Sequence, residues 1–140
     1  MFSYSVMPGF SDTDALGHIN NTRLPVWFEN ARDPIFRLFT PSLDLKRWPL
    51  ILARITVDFK EQMFLGHEVE IKSYISKIGN ASFTTTQEAW QDGSCTAKGE
   101  ALMVHYDYQL NKSLVIPDDI RNILEQHLLD SAAIVTSTKG

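Results

Sequence analysis

At Leu50 the spacing of apolar residues changes from a helical period to a period of two. That switch restricts the chain to a helix packed against an antiparallel sheet that follows it. Before it, Leu24, Trp27, Phe28, Ala31, Ile35, Leu38 and Phe39 recur at three- and four-residue steps and form one wide apolar stripe. Asn20, Asn21 and Thr22 all suit an N-cap, and Pro25 is tolerated only in a first turn, where its missing N–H is not needed. Pro34 is expected to kink or restart the helix, with Asp33 as a local cap, and Pro41 fits its end.

After the switch, Ile51, Ala53, Ile55, Val57 and Phe59 alternate with Arg54, Thr56, Asp58 and Lys60, which predicts a strand with one buried and one polar face. His67 to Ile78, Ala81 to Gln91 and Cys95 to Tyr108 are three more strand-like runs. Leu65-Gly66, Gly79-Asn80 and Asp92-Gly93 separate them, and Asp-Gly between strand patterns is a strong hairpin signal. A short strand is expected within Met1 to Phe10, and Pro117-Asp118-Asp119 opens an amphipathic C-terminal helix through Ile120, Ile123, Leu124, His127 and Leu128. The expected fold is α+β, a single domain over residues 1–129, with a frayed tail over 130–140.

The bulk numbers exclude some functions. With 140 residues, 44% hydrophobic and 21% charged, the chain can bury a core without disulfides or metals. A net charge of -4 argues against a nucleic-acid partner. Cys95 is the lone cysteine, which fits a reducing compartment and a packed strand residue. No signal-peptide pattern and no apolar run of about 20 residues is present, so a cytoplasmic location without membrane contact is expected. His67, His105 and His127 lack metal-ligand spacing, and no metal site is expected. Glycine-rich phosphate loops, dinucleotide fingerprints and Gly-x-Ser-x-Gly elbows are missing too.

Between the first strand and the helix lies Asp12-Thr13-Asp14-Ala15-Leu16-Gly17-His18-Ile19-Asn20-Asn21, too polar for a buried element. Together with Trp27-Phe28-Glu29-Asn30-Ala31-Arg32 it resembles the 4-hydroxybenzoyl-CoA thioesterase-like branch of the hotdog superfamily. Val57-Asp58-Phe59-Lys60, Ile78-Gly79-Asn80-Ala81-Ser82, Asp92-Gly93 and Ile116-Pro117-Asp118-Asp119-Ile120 extend the likeness over about residues 3 to 128. The family often has Tyr where this chain has Leu24. The resemblance implies a hotdog fold: an antiparallel sheet of about five strands wrapped around one long central helix, with a short C-terminal helix. It also implies homodimers or homotetramers joined along strand edges, with the active site at the subunit interface near the start of the helix. The substrate would be an acyl-CoA, coenzyme A being its carrier rather than a held cofactor.

The chemistry fits those residues. A thioester needs a nucleophile at its carbonyl carbon and donors for the developing oxyanion, while a thiol of pKa about 8.5 leaves without a strong general acid. Asp14 is the candidate, attacking directly or as a general base on water. Gly17 permits close backbone approach, Asn20 and Asn21 offer amide donors, and the helix start presents backbone N–H groups with a positive dipole end. His18 either polarises the substrate or holds the loop, and Asp12 is read as structural. Glu29 either pairs with Arg32 or helps position water or Asp14. Trp27 and Phe28 are core residues or an acyl box, and Gly79, Asn80 and Ser82 are candidates for the pantetheine arm. Arg54, Lys60, Lys72, Lys77 and Lys98 are candidate cations for its nucleotide end or simply solvated charges of the strand faces. A hotdog hydratase or dehydratase and a non-catalytic acyl-thioester binding protein are the other readings.

Overall fold

The computed structural model describes residues 1–129, so the expected tail over 130–140 lies outside the described residues. The chain runs β1 (Phe2–Val6), α1 (Arg23–Ala31), α2 (Asp33–Phe39), β2 (Leu50–Phe59), β3 (Val69–Ile78), β4 (Ser82–Gln91), β5 (Ser94–Asp107), β6 (Lys112–Ser113) and α3 (Asp118–Gln126). The sheet is antiparallel in the order β1-β3-β4-β5-β2, with β6 pairing the far end of β5. It is the expected hotdog arrangement with a sixth, two-residue strand added. Asp92 (φ 52°) and Gly93 (φ 79°) turn β4 into β5 with both central residues left-handed, the geometry that matches the twist of paired strands.

The central helix is two helices. Arg32 (φ −82°, ψ −3°) breaks the run and is the residue that caps α2, so Asp33 is not the cap. Asp33 sits inside the first turn instead and accepts from Arg37 Nε at 2.8 Å, while Pro34 follows where its missing N–H costs nothing. The break lets each helix cover its own half of the sheet. Leu24, Trp27, Phe28 and Ala31 of α1 pack with Ile71, Ala89 and Ala97; Ile35 of α2 packs with Ile75, Phe83, Ala101 and Met103. Gly99 is required under α1, because a Cβ there would lie 2.8 Å from Phe28 Cε2 and from the Thr56 carbonyl.

One sequence expectation fails in an informative way. The alternating apolar face expected of β2 is not fully buried: Ala53 is exposed and Ile55 and Phe59 are each 47% exposed, as is Leu52 (42%) one residue out of that register. β2 is an edge strand, bonded only to β5, and a bulge between Leu52 and Arg54 bends it. Its apolar side chains overhang the helix layer, and its outer backbone edge has no strand beside it among the described residues.

At the opposite edge, the Met1 amino group lies 2.7 Å from His127 Nδ1, and Phe2 stacks on that imidazole with centroids 4.0 Å apart. Burial, then the neighbouring positive amino terminus, hold the His127 pKa below its usual value near 6.5. The folded state therefore binds fewer protons than the unfolded one just below that value. Stability is at its full level above about pH 6.5 and falls as the pH drops toward the lowered native pKa. Thermal midpoints measured between neutral pH and pH ~5 should fall on acidification, and His127→Gln should remove part of that fall. An identical slope in the variant would exclude His127 as its source.

Candidate active site

The polar segment folds into a small hairpin docked on the β2–β3 connection. Thr13 bridges Ile19, and the Asp14 N–H donates to the His18 carbonyl at 2.9 Å. On its other side, Ile19 N–H donates to the Met63 carbonyl at 2.8 Å and Leu65 N–H to the Gly17 carbonyl at 3.2 Å. The turn is tight enough to drive Ala15 to φ 76° and Gly17 to φ 85°. For Ala15 that conformation is strained by about 1–2 kcal/mol, and it persists because both flanks are pinned.

Asp14 is exposed at the tip of this hairpin. Its Oδ1 accepts the Leu16 N–H at 3.0 Å, while Oδ2 has no protein partner among the described residues. One carboxylate oxygen is fixed by the turn and the other is open. Asp12, by contrast, is fully engaged: Oδ1 pairs with Arg23 Nε at 3.2 Å, Oδ2 accepts the Gly9 N–H at 2.8 Å, and its carbonyl accepts the Asn20 N–H at 2.8 Å. Arg23 also donates to the Ser11 carbonyl at 3.1 Å, clamping the loop to the first turn of α1. Sequence patterning missed Arg23, since its partners lie on a separate loop.

Asp14, Asn20 and Asn21 line one cleft of about 420 Å³ together with Leu24, Phe59, Lys60, Glu61, Gln62 and Met63. Asn20 uses its Oδ1 for local work, accepting Thr22 N–H and Thr22 Oγ1–H at 2.9 Å each. It is the side chain that organises the helix start, and Thr22, the N-cap by position, makes no side-chain cap of its own. Arg23 N–H is taken by the Asn20 carbonyl at 3.0 Å and Pro25 has no N–H, so the helix start offers fewer open donors than the sequence suggests. Asn21 stays exposed on the cleft wall. His18 is half-buried, its ring edge-on to Phe64 with centroids 5.2 Å apart, and its carbonyl holds Asp14.

The other sequence candidates lie elsewhere in the chain. Trp27 (5% exposed) and Phe28 (3%) are core residues that present almost no surface to a ligand. Glu29 is exposed in a different groove, of about 330 Å³, with Asn30, Asp33, Phe36, Trp48 and Leu52. The expected Glu29–Arg32 ion pair is not formed. Arg32 turns inward and donates to Gln87 Oε1 at 3.0 Å, and Gln87 in turn donates to the Phe28 carbonyl and to Ser73 Oγ. Burial lowers the Arg32 pKa and the nearby Glu29 charge partly restores it.

Gly79 and Ser82 line a third cleft, of about 410 Å³, on the polar face of the sheet with Arg54, Thr56, Lys77 and Glu100. The Gly79 N–H is already given to the Ser82 carbonyl at 2.7 Å. Asn80 ties this turn to the C-terminal segment, its carbonyl accepting from Ile116 N–H at 3.0 Å and from Arg121 at 3.1 Å. Among the described residues, no group of three His, Cys, Asp or Glu side chains is placed to hold a metal, and no helix is long and apolar enough to cross a membrane.

Residues 8–124 match the family model of the thioesterase-like superfamily. The chain belongs to the thioesterase-like superfamily. As a member of it, the protein is an enzyme whose class of chemistry is thioester hydrolysis. The solved structure of a predicted thioesterase from Bacillus stearothermophilus is similar at 43% identity and a TM-score of 0.88, covering 92% of this chain and 97% of that one. A thioesterase from Thermus thermophilus, solved with coenzyme A and Zn, is similar at 26% identity and a TM-score of 0.78, covering 88% and 96%. The uncharacterized protein YsmA of Bacillus subtilis (strain 168) is 25% identical over 124 residues, 88% of this chain and 84% of its own length.

Proposed function

We propose that this member of the thioesterase-like superfamily hydrolyses an acyl-CoA to the free acid and coenzyme A, with Asp14 acting on the thioester carbon. The observation that carries the reading is the divided Asp14 carboxylate in a cleft that Asn21 also lines: Oδ1 is held by the Leu16 N–H, and Oδ2 has no protein partner among the described residues. A group fixed in direction by one bond and free at the other atom meets the positional demand of nucleophilic or general-base catalysis. In the general-base course, Asp14 takes a proton from water as the water oxygen adds to the carbonyl carbon. Collapse of the tetrahedral adduct then breaks the C–S bond, and the thiolate leaves and takes up a proton. In the covalent course the carboxylate oxygen adds instead, expelling the thiolate and leaving an anhydride that water opens. The Asn21 amide is the candidate oxyanion donor, and one such donor is worth roughly 2.7–4 kcal/mol of barrier.

Coenzyme A as the carrier is supported by the Thermus relative, which was solved with it bound. The working unit is a homodimer paired along β2. Leu52, Ile55 and Phe59 form an apolar ledge beside an open strand edge, and Phe59 is also a wall of the Asp14 cleft.

A panel of acyl-CoAs assayed with a thiol-reactive dye tests the reaction. Thiol release with at least one acyl class is the expected result. Conversion of an enoyl-CoA with no thiol freed would replace the reading by hydration, and tight binding without turnover across the panel would replace it by a binding role.

A further inference from the structure

β5 outruns its neighbours, with 14 residues against 10 in β2 and in β4. Its last residues pair with β6, Tyr106 with Ser113 and Asp107 with Lys112, and the Tyr106 N–H also donates to the Pro49 carbonyl at 2.8 Å. The turn that follows this extension adds little to the core: Tyr108 is 55% exposed and Leu110 62%. Its rings are nevertheless fixed. Tyr106 Oη donates to Asn111 Oδ1 at 2.5 Å, Tyr108 Oη donates to the Leu50 carbonyl at 2.9 Å, and the two rings meet edge to face at 5.1 Å.

The opposite wall is a single 3-10 turn, Leu45–Arg47, started by Asp44, whose Oδ1 accepts the Lys46 N–H at 3.0 Å. It brings Lys46 and Arg47 to the rim and leads into Trp48, which Phe36 holds edge-on at 5.3 Å. The space between is a cleft of about 410 Å³, within the usual range for small-molecule sites and separate from the one that holds Asp14. Lys46 and Arg47 make no ion pair among the described residues, in a chain of net charge -4. The one carboxylate in the lining, Asp107, is turned to its own hairpin, where Oδ1 accepts Gln109 N–H at 2.8 Å and Leu110 N–H at 3.0 Å. Preset aromatic rings beside two unpaired cations match a ligand with a flat base and a phosphate.

We propose that this cleft binds a purine nucleotide, the base against Trp48, Tyr106 and Tyr108 and the phosphate on Lys46 and Arg47. The same chemistry occurs in a free nucleotide and in the 3′-phosphoadenosine diphosphate end of coenzyme A. In the second case the site deepens the acyl-CoA reading and rests on it.

Calorimetry with ADP and with adenosine 3′,5′-bisphosphate tests the site without any turnover. Both should bind the intact protein, and Lys46→Ala/Arg47→Ala, or Tyr108→Ala at an exposed position, should weaken them by about tenfold or more. Steady-state kinetics separate the sources. If the occupant is the coenzyme A end, the double variant raises KM for acyl-CoA by a similar factor, keeps kcat, and leaves an acyl-pantetheine substrate unaffected. If it is a free nucleotide, KM for acyl-CoA stays unchanged while ADP binding is lost. Absence of binding by both nucleotides up to about millimolar, or equal binding by the variants, overturns the proposal. Failure of the acyl-CoA reading alone would leave the calorimetric result standing.

Discussion

Asp14→Asn is expected to lower kcat for thioester hydrolysis by about 10²–10⁴-fold, with KM and thermal midpoint close to those of the unaltered protein. The two side chains have nearly the same shape, and an amide oxygen can still accept the Leu16 N–H that sets the turn. The backbone bonds that dock the hairpin, Asp14 N–H to His18 and Ile19 N–H to Met63, do not involve the side chain. What disappears is the charge and the basicity of the open oxygen. A carboxamide neither takes a proton from water nor forms an anhydride under these conditions, so the loss belongs to the chemical step and not to binding. Asp12→Asn is the control at a neighbouring carboxylate. It weakens the tie to Arg23 and is expected to act through loop order, raising KM and lowering kcat together. Thiol release followed across substrate concentration, beside thermal melts of both variants, separates these outcomes. An Asp14→Asn protein with undiminished kcat would remove Asp14 from the chemistry.

A charge on the open strand edge should have an effect of comparable size on assembly. Ile55→Lys is expected to convert the proposed dimer to monomer at assay concentrations and to take most of the turnover with it. Ile55 is 47% exposed in the protomer, so the substitution leaves the internal core in place. In the proposed two-fold contact each change enters twice, and two lysines on paired edges would oppose each other where two isoleucines would meet. A loss of about 2 kcal/mol, the size of an interface hot spot, is about a thirtyfold rise in the dissociation constant of the proposed dimer. The loss of turnover follows from position, because Phe59 stands on the same ledge and also walls the Asp14 cleft. Sedimentation velocity gives the mass and the thiol assay gives the rate. Unaltered protein that sediments as a monomer while fully active would separate the ledge from function.

The sheet was legible because its signals are local. A period of two, interrupted by Gly-Asn and Asp-Gly, locates strands and hairpins within a residue or two, and the left-handed pair Asp92-Gly93 is where the dipeptide puts it. Alternation does not reveal which strand lies at an edge. Ile55 and Phe59 read as core residues yet overhang it, since burial depends on what the neighbouring layer covers. The helix break came one residue before its expected cap, at Arg32, whose side chain reaches Gln87 on β4, a partner that no local pattern announces. At the site, Asp14 and the two asparagines stand out as a polar run before a helix. Lys60, Glu61 and Gln62 reach the same cleft from the end of β2, and Arg23 closes the loop through Asp12; these are long-range pairings with no periodic signature. Glu29 and Arg32, three residues apart, line the same groove, yet Glu29 is exposed while Arg32 is buried and donates to Gln87 instead.

The most direct measurement is a crystal structure of the Asp14→Asn protein with an acyl-CoA that the panel has identified as a substrate. The thioester carbonyl carbon should lie about 3–3.5 Å from a side-chain atom of residue 14, with its oxygen toward the Asn21 amide. A thioester seated in one of the other clefts, with residue 14 remote from its carbon in every protomer, would contradict the assignment.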